Sequence, residues 1–308
     1  MAEVGILTIR ILKSKNRNFT RKYFLMNKHF FRVAILVCVT LSSCMNIRIK
    51  EHEEWKTVFD EYGVEGCFEM YDNNKEIAHY YNKERCATRF TPASTFKILN
   101  SLIGLETGVA DNDQFVIKWD GIQRWNENWN QDLTMAQAFK YSAVPYYQQL
   151  ARLIGAEKMH YYIDTIKYGN MMTGGAIDSF WLNDTLQVSA DEQVGFLKRL
   201  YFAELPGFSE RSQRIVQHLM LQEEKPQYRL FYKTGWGKVP GKPDVIWIVG
   251  VVESIHQLKN VETQKIDNIP HPYFFAMNFS ITDTTKDWGK IRMDMLNKLL
   301  ATQSLSFQ

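Results

Sequence analysis

A serine and a lysine three residues apart could together form an activated nucleophile. Ser94 and Lys97 bound the segment Ser94-Thr95-Phe96-Lys97, and positions i and i+3 lie on one face of a helix. A neutral amine within reach of a hydroxyl can take up its proton, which is the chemistry of acyl transfer through a covalent serine ester. The spacing by itself is weakly specific, because it also fits the solvated start of an ordinary helix.

The surroundings of Lys97 favour the reactive interpretation. The helix that begins near Ser94 is densely apolar, and its hydrophobic residues are Phe96, Ile98, Leu99, Leu102, Ile103 and Leu105. Desolvation in such a helix disfavours the charged ammonium form and favours a neutral, reactive amine.

A second motif with polar side chains lies at the end of a predicted strand, much later in the chain. Lys233-Thr234-Gly235 offers a cation and a hydroxyl to an anionic substrate, and the glycine would let a ligand approach the backbone closely. After a Ser-x-x-Lys segment, this triplet is typical of sites that form acyl-serine intermediates. An ordinary strand end is the alternative interpretation.

Hydrophobic periodicity predicts the elements that must position these residues. Strands are predicted at 64–71, 76–81, 228–234, 245–252 and 273–281. Helices are predicted between Pro92 and Gly108 and at 135–139, 145–153, 157–166, 191–201, 209–221 and 286–302. Strands followed by helices and then by strands indicate an α+β fold.

Two cysteines remain in the body of the chain, since Cys38 and Cys44 belong to the N-terminal segment, so no disulfide framework is expected. A hairpin turn at Asn73-Asn74, between strands 66–71 and 76–81, would place Cys67 opposite a residue near His79 or Tyr80. That register does not favour pairing of Cys67 with Cys86, but leaves it open.

A metal site is not expected. The seven histidines are scattered along the chain, and no cluster of cysteine and histidine has the spacing of zinc ligands.

The N-terminus predicts export. Lys28, His29 and Arg32 precede nine apolar residues at 33–41, whereas a membrane-spanning helix needs about 20. Leu41-Ser42-Ser43-Cys44 resembles a lipoprotein signal, which implies cleavage before Cys44 and lipidation of its thiol. A plain signal peptide is the alternative.

Residues 1–44 are therefore predicted to be a signal segment. Met26 would begin a signal of ordinary length, so 1–25 are interpreted as a candidate misassigned extension. We expect the protein in the periplasm, either free or anchored through Cys44, with no other contact to a membrane.

Composition is that of a folded chain of enzyme size. The 308 residues are 45% hydrophobic and 23% charged, enough for a substantial core. The net charge of +3 argues against a nucleic-acid partner. Without an internal repeat or linker, 45–308 is predicted to be one domain, with its sheet region at about 52–93 and 227–308 and its helical region at about 94–226.

Together, the ordered motifs resemble the class D serine β-lactamases, or oxacillinases. The similarity covers Arg89-Phe90-Thr91-Pro92-Ala93-Ser94-Thr95-Phe96-Lys97-Ile98 and continues from Asn100 to Gly108. Further matches are Tyr141-Ser142-Ala143-Val144, Tyr168-Gly169-Asn170, Phe180-Trp181-Leu182 and Lys233-Thr234-Gly235-Trp236. Class A enzymes and most transpeptidases have Ser-x-Asn where this chain has Ser-x-Val. The resemblance implies an antiparallel sheet flanked by helices and joined to a mostly helical region.

The resemblance also implies a function, the hydrolysis of β-lactam antibiotics through an acyl-enzyme on Ser94, which confers resistance. Lys97 would be carboxylated on its amine by carbon dioxide or bicarbonate and would act as general base in both half-reactions. No other cofactor is implied. An apolar pocket of Phe96, Val144 and Leu182 would keep the amine neutral, and the Trp181 indole NH would donate a hydrogen bond to the carbamate.

Further roles follow from the same resemblance. Ser142 would pass a proton to the β-lactam nitrogen with Lys233 nearby, and the backbone NH groups of Ser94 and Trp236 would form the oxyanion hole. Thr234 and Arg292 would bind the substrate carboxylate, for which an arginine fork is well shaped, with Lys290 as the alternative to Arg292.

Two other functions share these motifs. A penicillin-sensing receptor would bind the drug and deacylate very slowly, but we expect its membrane helices and HExxH segment to precede the sensor, and neither occurs in this sequence. A cell-wall transpeptidase or carboxypeptidase would carry Ser-x-Asn. The sequence leaves open the preferred drugs and whether the protein is a monomer or a dimer.

Overall fold

The computed structural model describes residues 47–259, 264 and 266–303. The predicted signal segment, including Cys44 and its lipidation, lies outside these residues. Within the described part of the chain, no helix is both long and apolar enough to cross a membrane.

A seven-stranded sheet forms the centre of the unit Arg48–Gln308. Its strands lie in the order β1-β3-β2-β9-β8-β7-β6. They are β1 (Arg48–Glu51), β2 (Glu65–Asp72), β3 (Ile77–Tyr81), β6 (Leu221–Lys225), β7 (Tyr228–Gly237), β8 (Asp244–Lys259) and β9 (Ile266–Ile281). All neighbours are antiparallel except β1 and β3, which run parallel. Two short strands, β4 (Val116–Ile117) and β5 (Leu133–Thr134), form a separate pair.

Helices cover both faces of the sheet. They are α1 (Lys56–Tyr62), α2 (Lys83–Ala87), α3 (Lys97–Glu106), α4 (Met135–Lys140), α5 (Val144–Ile154), α6 (Ala156–Thr165), α7 (Ala190–Tyr201), α8 (Glu210–Met220) and α9 (Trp288–Ala301). Alternate residues of β8 serve two cores: Trp247 and Val249 face the helical region, and Ile246 and Ile248 face α1 and α9. A strand buried on both faces reads as a continuous apolar run, as 245–252 does.

The α+β prediction is confirmed, as are all the longer predicted elements. The sheet is flanked by helices as expected and is antiparallel except for the β1–β3 pair. The short or polar elements β1, β4, β5, β6, α1 and α2 were not predicted, because their sequences lack a clear apolar period. Strands β8 and β9 are each 16 residues long, well beyond the predicted 245–252 and 273–281, since their distal ends are exposed and mix polar residues with isolated hydrophobic ones.

The predicted register of the first hairpin is wrong. The turn occupies residues 73–76 rather than Asn73-Asn74 alone, and Asp72 pairs with Ile77. Phe68 pairs with Tyr81, so Cys67 lies one step beyond the ladder, across from Asn82 rather than from His79 or Tyr80. Glu76 takes a left-handed φ of 54°, which the longer turn requires.

Candidate active site

Ser94 and Lys97 meet at the junction of two helical segments. Residues Ala93–Phe96 form a 3-10 helix that continues directly into α3, which begins at Lys97. Side chains at i and i+3 eclipse in a 3-10 helix, so the two functional groups converge. The Lys97 Nζ donates to Ser94 Oγ at 2.6 Å.

The turn before Ser94 is held in a strained conformation. Ala93 has a left-handed φ of 47°, which is uncommon for a residue with a side chain. Its backbone NH donates to Trp181 O at 3.1 Å, and Thr91 Oγ1 donates to the same carbonyl at 3.0 Å. These bonds to the loop that carries Trp181 fix the position of Ser94. Such strain is typical of functional sites.

Lys97 is fully buried, with 0% of its surface exposed. Every residue of α3 from Lys97 to Leu105 is buried, and the Tyr147 ring lies 5.5 Å from the ammonium nitrogen. Burial lowers the pKa of Lys97 to about 7. Near neutral pH a substantial fraction of the side chain is therefore a neutral amine.

The indole NH of Trp181 is buried and has no hydrogen-bond partner within the described ranges. The Trp181 ring stacks on Phe96 with their centroids 5.2 Å apart, and both residues are 0% exposed. Among the residues that the structure describes, Trp181 Nε1 has no hydrogen-bond partner. A buried NH without an acceptor is rare in folded proteins.

Val144 and Leu182, the other predicted pocket residues, are both half-buried. Val144 is the first residue of α5 and is half-buried, two positions after Ser142. Leu182 is also half-buried and packs against the core directly after Trp181. The structure adds Tyr147 to the predicted pocket.

A second serine–lysine pair faces the first. Lys233 Nζ donates to Ser142 Oγ at 3.0 Å and to Thr234 O at 3.0 Å. Ser142 joins α4 to α5 with a left-handed φ of 53°. Burial, then the charges of Lys97 and Arg292, lower the pKa of Lys233. Two lysines close enough to repel each other favour proton release from one of them.

Strand β7 packs directly against the Ser94 turn. A Cβ atom on Gly235 would lie 3.0 Å from Pro92 O and 3.1 Å from Thr95 Cγ2. The absence of a side chain at Gly235 therefore lets β7 pack closely against the Ser94 turn, and the predicted approach of a ligand to this backbone stays a prediction. Trp247 strengthens the contact by donating from Nε1 to Thr91 O at 3.0 Å.

Arg292 lies behind the same strand. It projects from α9, and its Nη1 donates to Gly235 O at 3.4 Å and to Trp247 O at 3.3 Å. Its Nε has no acceptor in the described part of the chain. Burial lowers the pKa of Arg292 to about 10. Lys290, the predicted alternative, is exposed.

Thr234 and Trp236 follow Lys233 along β7. Thr234 is half-buried, whereas Trp236 is 37% exposed and donates from its indole Nε1 to Asp244 Oδ2 at 2.7 Å. The side chain of Trp236 is thus held to β8.

Sequence reasoning missed three residues of this site. These are Tyr147 beside Lys97, Phe139 with its ring 5.7 Å from Lys233 Nζ, and Ala93 with its left-handed backbone. The spacing of Ser142, Val144 and Tyr147 across the start of a helix could have suggested Tyr147. No sequence signal marks a strained alanine.

Within 47–259, 264 and 266–303, no group of three or more His, Cys, Asp or Glu side chains could hold a metal ion.

Comparison with known proteins places this geometry in a family. Residues 67–263 match the model of the penicillin binding protein transpeptidase domain. The β-lactamase OXA-19 of Pseudomonas aeruginosa is 36% identical over 280 residues, 90% of this chain and 98% of that protein. The β-lactamase OXA-48 of Klebsiella pneumoniae is 38% identical over 256 residues, 83% of this chain and 90% of that protein.

Solved structures agree. The crystal structure of a class D β-lactamase from Sebaldella termitidis superposes on this chain with a TM-score of 0.76 and 33% sequence identity. The match covers 85% of this chain and 100% of that one. Length, sequence and fold thus coincide, and the chain belongs to the class D β-lactamases.

Proposed function

We propose that this protein hydrolyses β-lactam antibiotics through an acyl-enzyme on Ser94, with Lys97, carboxylated on Nζ, as general base, and thereby confers resistance. The observation that carries the proposal is the 2.6 Å contact between Ser94 Oγ and a Lys97 amine that is wholly buried. A nucleophile within hydrogen-bond reach of its base is the arrangement that acyl transfer requires.

Acylation uses the two serine–lysine pairs in sequence. Ser94 Oγ attacks the β-lactam carbonyl carbon as its proton passes to the base at position 97, and backbone NH groups of Ser94 and Trp236 stabilise the oxyanion. The ring nitrogen leaves with a proton from Ser142, and Ser142 takes a proton in turn from Lys233, whose Nζ lies 3.0 Å from its Oγ. The carbonyl–nitrogen bond breaks, and the acyl group remains on Ser94.

The pocket around Lys97 fits a carboxyl group on its amine. A pKa of about 7 leaves the amine free to react with carbon dioxide at neutral pH. The unpartnered Trp181 Nε1 is a ready donor to an anionic oxygen in the same buried layer. When bound, the carboxyl group supplies an anionic base for both acylation and deacylation.

Substrate orientation depends on positive charge along β7. Thr234 offers a hydroxyl, and the Arg292 guanidinium behind Gly235 supplies the charge that attracts the drug carboxylate. We also propose that the signal at 1–44 exports the protein to the periplasm, where its substrates arrive, either as a free protein or anchored through Cys44.

The proposal is tested by hydrolysis of a chromogenic cephalosporin and a penicillin by the purified protein, with and without bicarbonate. We expect turnover that bicarbonate stimulates and that Ser94→Ala abolishes. Thr107→Ala, which removes a hydroxyl just beyond the far end of α3, is the matched control and should retain turnover. Stoichiometric acylation of Ser94 without turnover would contradict hydrolysis and indicate a receptor-like role instead.

A further inference from the structure

The corrected hairpin register brings two cysteines together. Cys67 lies on β2, across from Asn82, and Asn82 caps the N-terminus of α2. Cys86 follows one helical turn later, and its backbone NH donates to Asn82 O at 3.0 Å. The Asn82 side chain also donates to Gly66 O at 3.1 Å, which holds the start of α2 against the strand that carries Cys67.

Both thiols are buried in one core and contact each other. Cys67 and Cys86 are each 0% exposed, and both are free thiols in this structure. They share a hydrogen bond, while Cys86 Sγ also lies 3.7 Å from Tyr81 O. The hydrogen bond with Cys67, then burial, raises the pKa of the Cys86 thiol.

Neither metal binding nor nucleophilic chemistry suits this pair. In the described residues, no third ligand joins the two thiols to make a metal site. A buried thiol with a raised pKa carries little thiolate and does not react with a substrate from solution. Contact between two sulfur atoms is, in contrast, what a disulfide requires.

We propose that Cys67 and Cys86 form a disulfide when the protein folds in an oxidising compartment. The oxidant is a disulfide, either a small-molecule disulfide or that of an exchange catalyst. One cysteine thiolate attacks a sulfur of the oxidant and releases its first thiolate. The second cysteine then attacks the mixed disulfide and releases the other thiolate. The protein loses two protons and two electrons, and the oxidant is reduced to two thiols.

The cross-link would join the sheet to the segment that carries the nucleophile. Helix α2 is followed by residues 88–92, which lead into the Ser94 turn, and the bond would close a loop that contains β3 and α2. A loop of roughly 20 residues gives a stabilisation that corresponds to a rise of about 5–10 °C in Tm for a domain of this size. Because the hydrogen bonds that the two thiols make within the described residues reach neither serine–lysine pair, turnover at low temperature should change little.

The experiment compares the full chain refolded with glutathione disulfide and with excess reductant. Both samples are unfolded, treated with an alkylating agent and digested with trypsin. The oxidised sample should yield peptide 57–75 joined to peptide 86–89, and its Tm should exceed that of the reduced sample by about 5–10 °C. Identification of the peptides separates this bond from any that involves Cys38 or Cys44.

A Cys67→Ser variant is the control, and its Tm should not respond to the oxidant. If that variant fails to fold, the two wild-type samples still decide the matter. Full alkylation of both cysteines after oxidative refolding would overturn the proposal. A cross-linked protein with an unchanged or lower Tm would overturn its stabilising role.

Discussion

Replacement of Lys97 by methionine should abolish turnover and yet stabilise the fold. Burial lowers the pKa of Lys97 from 10.5 to about 7. That difference costs the uncarboxylated protein about 4 kcal/mol of folding free energy at pH 7, because the unfolded chain binds a proton that the folded chain holds only weakly. The Ser94 hydrogen bond offsets about 1 kcal/mol of this cost. Methionine has a similar length and no charge.

The sign of the pH dependence follows from the lowered pKa. The penalty is complete below the folded pKa of about 7 and vanishes as pH rises towards the unfolded value of 10.5. In buffer without carbon dioxide at pH 6, we expect the Tm of Lys97→Met to exceed that of the wild type by about 5–10 °C. The difference should shrink steadily towards pH 9.5. Bicarbonate should also narrow it, since carboxylation stabilises only the wild type.

Thermal unfolding followed by circular dichroism at pH 6, 8 and 9.5 measures these differences. Lys290→Met is the matched control, because Lys290 lies exposed on the same protein and should show no comparable gain. A Lys97→Met variant that is less stable than the wild type at pH 6, or equally shifted at all three pH values, would refute the claim that burial keeps this lysine neutral.

Three further changes test other parts of the site and core. Trp181→Phe keeps the stack on Phe96 but removes the indole NH. Turnover should therefore fall at least about tenfold and be partly restored by high bicarbonate, as steady-state kinetics across bicarbonate concentrations can measure. If the NH donates no hydrogen bond during turnover, neither effect will be seen. Arg292→Ala should raise KM at least about tenfold for drugs with a carboxylate and change kcat less, as Michaelis–Menten kinetics can check. A fall of about tenfold in kcat with an unchanged KM would contradict a role in substrate binding. Burial, and then the nearby Asp191, raise the pKa of Glu69, so the folded protein loses stability as pH rises above the ordinary glutamate value of 4.5. Glu69→Gln should therefore raise Tm at pH 8 but not at pH 4.5. Equal Tm shifts at both pH values would refute this.

The sequence was most informative where chemistry restricts residue type. Ser94, Lys97, Ser142 and Lys233 were predicted by their types, order and spacing, and the structure brings them together in two hydrogen-bonded pairs. Helix α3 was equally clear, since a fully buried helix needs a dense apolar pattern.

Other features depend on tertiary contacts that no local pattern encodes. The register of the first hairpin depends on a four-residue turn, whereas a two-residue turn was predicted. With the wrong register, the proximity of Cys67 to Cys86 was not predicted. The close packing of Gly235 against Pro92 was not predicted either, because it joins segments far apart in the sequence. The long, exposed ends of β8 and β9 pair with each other, although their scattered hydrophobic residues bury no core.

The most direct test of the central claim is mass spectrometry of the intact protein mixed with a penicillin. The wild type with bicarbonate should hydrolyse the drug and carry an adduct only transiently. Lys97→Ala should acylate slowly and then accumulate one adduct, mapped to Ser94, because the base for deacylation is gone. Normal turnover by Lys97→Ala, or an adduct on any residue other than Ser94, would contradict the account.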